Sequence, residues 1–223
     1  MRLGIIGLPQ SGKTTLFNAL TRGTQPTGTT GRIEVHTAVV DVPDPRVDRL
    51  TEMFKPKKKI YTKVTYSDIA GLDGSASKAG ISGTLLNQLS QMDGFIEVVR
   101  CFEDENLPHP SGSVDPLRDI LAMDSEFVLN DLIAVERKLE RLAEERKKGA
   151  GRDKAVIERE VELFTRLQTA LNEETPLRDV EISPEEEKMM AGFGFLSRKP
   201  LLLVLNLAEG QRAPEISYQH KHT

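Results

Sequence analysis

The sequence predicts an α/β fold: a domain built on a mostly parallel sheet, with an antiparallel α-helical coiled-coil hairpin inserted into it. Three observations carry this expectation. Apolar runs of strand length alternate with amphipathic runs of helix length over most of the chain. A glycine-rich turn, GLPQSGKT, separates the first apolar run from the first helix. One stretch in the second half abandons the alternation for a charged, leucine-rich heptad pattern.

RLGIIGL is an apolar run stopped by glycine and reads as a buried strand, and GKTTLFNALTRG follows with Leu16, Phe17 and Leu20 at helical spacing. IEVHTAVVDV and IYTKVTYSDIAG are rich in β-branched residues and read as two further strands. Between them PDPRVDRLTEMFKPKKK opens on turn prolines and continues as a short helix. GTLLNQLSQMDG is helical. FIEVVRCF and KPLLLVLNL are near-continuous apolar runs of the kind that fill a parallel sheet covered on both faces. In such a sheet the site lies at the carboxyl ends of the strands.

The heptad stretch holds Val128, Leu132, Val135, Leu139 and Leu142, then Ile157, Val161, Phe164, Gln168 and Leu171, at alternating spacings of four and three. Gly149 and Gly151 permit a reversal between the two halves. The expected division is therefore a discontinuous α/β domain, residues 1–122 and 176–223, which the motifs below make nucleotide-binding, and a helical insertion, residues 123–175.

Composition narrows the function. The formal net charge is −4, aromatic residues make up 5% and there is no tryptophan, so the overall balance does not announce a nucleic-acid binder. The local cluster Lys55, Lys57, Lys58 and Lys59 is a solvated turn on one reading and a phosphate-contacting patch on RNA or the ribosome on another. The lone cysteine, Cys101, sits in an apolar run and reads as a small buried hydrophobe. No apolar run approaches the ~20 residues of a membrane span. A soluble, cytoplasmic protein is expected.

Gly7, Gly12, Lys13 and Thr14 match G-x-x-x-x-G-K-[ST]. The turn, with Pro9, Gln10, Ser11 and Thr15, is expected to wrap a nucleotide's phosphates, since glycines let backbone N–H groups converge on oxygens at a helix amino terminus. Lys13 would bridge the β- and γ-phosphates and Thr14 would ligate Mg²⁺. Asp68, closing a strand, would hold a magnesium-bound water, and Gly71 would offer its N–H to the γ-phosphate. Asn206, Leu207 and Glu209 occupy the place of the N-K-x-D motif by which GTPases read guanine.

These motifs in order, with a helical hairpin before the last, make the chain resemble the Obg-like ATPase (YchF) family of P-loop GTPases. VPDPR, DIAGL, VVRCFED and VDPLRDI add to the resemblance. It implies a G-domain with a coiled-coil insertion, slow Mg²⁺-dependent hydrolysis, ATP preferred over GTP, and association with the ribosome or stress-response machinery. Glu209 and Leu207 in place of aspartate and lysine agree with adenine, which lacks guanine's N1–H and 2-amino donors. GTP stays open as the alternative, with Glu209 standing in for the aspartate.

Several positions depart from common patterns. Leu72 stands where many GTPases place the glutamine that orients the attacking water, and an apolar side chain cannot do so. His109 is the polar candidate for that task, in a proline-rich loop where an exposed, uninvolved histidine is the competing reading. Gln10 and Ser11 replace the family's asparagine and valine. Arg32 falls where the family's switch threonine is expected, with Thr29 and Thr30 nearby. The family continues into a carboxyl-terminal TGS domain, which this chain is expected to lack, either as a natural short form or as a fragment. A binding module stabilised by nucleotide, with incidental hydrolysis, is the competing function; a small-molecule kinase finds no acceptor site.

Overall fold

A computed structural model describes residues 1–26, 35–70, 72, 81–148 and 151–222. Five strands form one sheet: β1 Arg2–Ile6, β2 Val35–Val42, β3 Thr62–Ile69, β4 Gly94–Arg100 and β5 Leu201–Asn206. Their order is β2-β3-β1-β4-β5, with every pair parallel except β2 and β3. β4 is buried at all seven residues, as a central strand covered on both faces must be. The parallel ladder sets Ile5 beside Asp68 on one side and Ile96 on the other, so the turn after β1 opens between two strand ends.

Six helices complete the described chain: α1 Lys13–Thr21, α2 Pro45–Phe54, α3 Gly83–Ser90, α4 Pro116–Lys148, α5 Lys154–Asn172 and α6 Pro184–Met190. One face of the sheet packs Ile5, Ile96 and Val98 on Phe17 of α1. The other packs Ile6, Ile69 and Phe95 on Leu85 and Leu89 of α3 and on Met123 and Phe127 of α4. The rings of Phe95 and Phe127 lie 5.0 Å apart. Among the described residues, no helix is long and apolar enough to cross a membrane. Cys101 is buried as expected, and burial pushes its thiol up.

The helical part differs from expectation in three respects. α4 begins at Pro116 rather than near residue 123, because Ile120 and Met123 already pack on the sheet; one continuous helix therefore serves both cores. Leu177, Met190 and Phe195, assigned by sequence to the nucleotide-binding part, are buried with α4 and α5. On α5 the buried residues include Glu160, Leu163 and Leu167, whereas the expected seam positions Val161 and Gln168 are only half-buried. The physical reason is a third partner: α5 packs on α4 and also on the returning segment, which needs a wider apolar face than a two-helix seam. Phe164 lies at the centre, 5.0 Å from Phe193 and 6.5 Å from Phe195. Gly149 lies outside the described residues.

Asp131 fastens that return. Buried on α4, its carboxylate accepts the Leu196 N–H at 2.9 Å, the Ser197 N–H at 2.8 Å and the Ser197 hydroxyl at 2.7 Å. Burial pushes the carboxyl up to about 6, against the pull of these bonds. Removing it strands two buried N–H groups. Asp131→Ala is expected to lower stability by about 2–4 kcal/mol, read by urea unfolding as a lower midpoint at unchanged slope. A loss within experimental error would contradict the role given to Asp131.

Candidate nucleotide-binding site

The turn between β1 and α1 has the backbone that a phosphate loop needs. Gly7 has φ 140° and Gly12 φ 100°. A Cβ at Gly7 would lie 2.4 Å from the Val98 carbonyl oxygen, and one at Gly12 would lie 2.4 Å from Asn206 Nδ2. No side chain fits at either position. Gln10 takes the left-handed conformation at φ 63°, uncommon for a residue with a Cβ.

Inside the turn Lys13 Nζ donates to the carbonyls of Gly7 and Leu8 at 2.9 and 2.8 Å. Burial lowers its ammonium to about 8, with the nearby Asp68 charge acting in the opposite direction. The Thr14 hydroxyl donates to Asp68 Oδ2 at 2.7 Å. The two residues expected at a magnesium ion, 54 positions apart in sequence, are thus in contact. Asp68 is buried and its other oxygen, Oδ1, has no partner. Gln10 Oε1 and Ser11 Oγ are likewise buried without partners. Asn206 Nδ2 donates to the Ser11 carbonyl at 2.9 Å, bracing the loop from the end of β5.

A magnesium ion suits this donor set. Thr14 and the unpartnered Asp68 oxygen are hard oxygen ligands, and Mg²⁺ takes few protein groups because it keeps most of its waters. Among the described residues, no cluster of three or more His, Cys, Asp or Glu offers a competing metal site.

The other candidate positions divide. Thr15 is exposed, and Pro9 and Gln10 are half-buried within the turn. Gly71, Thr29, Thr30 and Arg32 lie outside the described residues. Leu72 is turned into the sheet core with Ile6, Ile69 and Leu89, so it presents nothing to water. Glu209 is exposed, three residues past the end of β5.

Two expectations are corrected. His109 is not exposed: its side chain is 2% accessible, Nε2 lies 2.9 Å from Asp119 Oδ2 and Nδ1 accepts the Ser111 N–H. Asp119 on α4 engages the imidazole, so His109 ties its loop to that helix. Leu207 packs with Leu205, Ile120 and Ile216 on the α4 side of the sheet. Asn206, the last residue of β5, reaches the Ser11 carbonyl of the phosphate loop, whereas Leu207 just beyond it packs on the α4 side of the sheet.

Sequence reasoning missed two residues that shape the rim. Arg100, buried at the end of β4, donates to the carbonyls of Phe102 and Leu107 and stacks on the Phe102 ring at 4.6 Å. Its only signal was an arginine ending an apolar strand. Gln211 accepts the Ala208 N–H at 2.8 Å and donates to the Cys101 carbonyl at 2.6 Å, tying the loop after β5 to the end of β4. Nothing in the sequence marked it.

The family described as 50S ribosome-binding GTPase matches residues 2–135. The chain belongs to this family. It is 37% identical over 213 residues to a protein of Bacillus subtilis (strain 168) named ribosome-binding ATPase YchF, and 31% identical over 221 residues to Obg-like ATPase 1 of Schizosaccharomyces pombe (strain 972). These alignments cover 94% of the chain and 57% and 55% of the relatives. A solved structure, that of the Schizosaccharomyces pombe YchF GTPase, matches with a TM-score of 0.72 at 31% identity, over 94% of this chain and 57% of that one. The chain spans a little over half the length of the curated relatives it matches.

The buried Lys13 makes ligand binding depend on pH. Between about pH 8 and 10.5 the folded chain holds fewer protons at Lys13 than the unfolded chain, so stability rises over that window as the cost of the buried charge is relieved. A bound polyphosphate favours the ammonium and reverses the shift. Nucleotide affinity is therefore expected to be level below pH 7.5 and to fall by up to about tenfold per pH unit above 8, with proton uptake on binding. Calorimetry in buffers of differing ionisation enthalpy reads both, and a flat profile from pH 7 to 9.5 would contradict the assignment.

Proposed function

We propose that the chain binds a nucleoside triphosphate with Mg²⁺ and hydrolyses it slowly, as a switch that works with the ribosome. The observation that carries this is the meeting of Lys13 and Thr14, at the turn after β1, with Asp68 near the end of β3, and with three buried oxygens, on Gln10, Ser11 and Asp68, lacking partners. An unpaired buried acceptor costs about 1–3 kcal/mol, so a ligand that supplies donors or a cation finds the site already assembled.

In this reading the Lys13 ammonium leaves the Gly7 and Leu8 carbonyls for phosphate oxygens, and the Thr14 hydroxyl and Asp68 carboxylate hold the metal side of the site. Mg²⁺, when bound, neutralises phosphate charge. Slow hydrolysis fits the burial of Leu72 and the engagement of His109 by Asp119, which take both of the positions considered above away from an attacking water. ATP is the preferred nucleotide: Asn206 is engaged in bracing the loop, and Leu207 faces away from it. GTP is the second reading, favoured by the exposed Glu209, whose carboxylate is available to guanine's two N–H groups.

The helical insertion, residues 123–175, together with the return segment that shares its core, is proposed as the arm that meets a partner. The names of the relatives support the ribosome as that partner and a cytoplasmic setting. A nucleotide-stabilised ribosome- or RNA-binding module with incidental hydrolysis is the alternative from a different class.

Titration with non-hydrolysable ATP and GTP analogues in excess Mg²⁺ tests the reading. ATP is expected to bind more tightly. Lys13→Ala is expected to weaken binding by about 100-fold through loss of a charge-assisted contact, with the fold retained, and Thr14→Ala to remove most of the gain that Mg²⁺ provides. Equal affinity in wild type and Lys13→Ala would refute the site; tighter GTP binding would replace the adenine reading by the guanine one.

A further inference from the structure

Eleven large apolar side chains are exposed among the described residues, and six of them lie between positions 39 and 60. Met53 is 65% accessible, Phe54 73% and Ile60 63%, with Leu50, Val39 and Val42 beside them in sequence. α2 contributes no buried residue at all. Its Leu50, Met53 and Phe54 stand at i, i+3 and i+4 and so share one face. The helix is nonetheless well made: Pro45 occupies its first turn, and the Asp44 side chain caps it by accepting the Arg46 N–H. Asp48 is bound by Tyr61 and by Lys59, which fastens a different side of α2 to the approach to β3. The apolar face is thereby held outward.

Charge singles out the same place. Residues 41–63 carry seven cations and four carboxylates in a chain whose net charge is −4. Arg46, Lys59 and Lys63 are paired with Asp44, Asp48 and Asp41. Arg49, Lys55, Lys57 and Lys58 have no carboxylate partner among the described residues. Val42 faces Thr62 at the amino-terminal end of β3, so α2 lies at the end of the sheet opposite the phosphate loop. An occupant there leaves the nucleotide site open.

We propose that α2 is a docking helix for a protein whose surface presents an apolar groove rimmed by carboxylates. Leu50, Met53 and Phe54 enter the groove, and Arg49, Lys55, Lys57 and Lys58 meet the rim. RNA would use the lysines but leave three large apolar side chains in water. A bilayer offers both chemistries, but three side chains on a ten-residue helix anchored at each end provide little area to insert. The proposal does not depend on the nucleotide reading, because the surface is remote from the phosphate loop.

Calcium-loaded calmodulin, an acidic protein with a methionine-rich groove for amphipathic helices, is a defined probe of this chemistry. Fluorescence anisotropy of labelled calmodulin titrated with the full chain is expected to show saturable binding on the order of 10 μM. Leu50→Ser with Phe54→Ser should weaken it at least about tenfold, and Lys55→Glu with Lys57→Glu and Lys58→Glu about fivefold. All five side chains lie on the surface, and unchanged far-ultraviolet dichroism and unfolding midpoint confirm an intact fold. The proposal is overturned if no saturable binding occurs, or if the double serine variant binds as wild type does. It is equally overturned if that variant loses binding to poly(U) RNA or to phosphatidylserine–phosphatidylcholine vesicles, or loses self-association, that the wild type shows.

Discussion

The site depends on one close approach: the backbone of the turn after β1 lies against the ends of two neighbouring strands with no room for a side chain between them. Gly7 rests on the Val98 carbonyl of β4, and Gly12 rests on the Asn206 amide at the end of β5. Because β1, β4 and β5 are parallel and in register, these contacts fix the loop relative to three strand ends at once. Lys13 fills the interior of the turn, on the Gly7 and Leu8 carbonyls, and its burial there lowers the ammonium to about 8. The unpaired oxygens of Gln10, Ser11 and Asp68 are the cost of this preorganisation. A site held in this way needs little rearrangement to accept a triphosphate.

The sheet that holds the loop is tied to the helical part by buried polar groups as well as by packing. Glu97 on β4 is fully buried, and burial raises its carboxyl well above the usual range, with the neighbouring Asp124 raising it further. Arg178 pairs with Asp124 at 2.6 Å, and Tyr218 is bonded to both. α4, the return segment and the final residues therefore converge behind the strand whose Val98 carbonyl supports Gly7. Asp131 provides the second tie, two turns further along α4. α2 stands apart from this continuity, bound chiefly through Asp48, and so presents its apolar face outward.

Most of the sheet was legible in the sequence because its strands obey simple patterns: β4 and β5 as unbroken apolar runs, β1 as a run stopped by a phosphate turn. The Thr14–Asp68 pair was legible because motif spacing encodes it. Long-range competition was not legible. His109 looked like a free loop residue because its partner, Asp119, lies on a helix whose start the heptad pattern concealed. Leu207 looked like part of a base site because motif alignment ignores which side of the sheet a residue packs on. The seam on α5 was misplaced at Val161 and Gln168, since a two-helix pattern takes no account of Phe193 and Phe195 arriving from the return segment. Gln211 and Arg100 act through backbone carbonyls, which leave no residue-type signal.

The central claim is that Lys13, Thr14 and Asp68 form a preassembled site for a magnesium-bound triphosphate. A crystal structure of the chain with Mg²⁺ and a non-hydrolysable ATP analogue tests it most directly. Lys13 Nζ is expected to exchange the Gly7 and Leu8 carbonyls for phosphate oxygens, Thr14 Oγ1 to move from Asp68 to the metal, and the Asn206 bond to Ser11 to persist. A nucleotide bound elsewhere, or one bound here with Lys13 still on its two carbonyls, would contradict it.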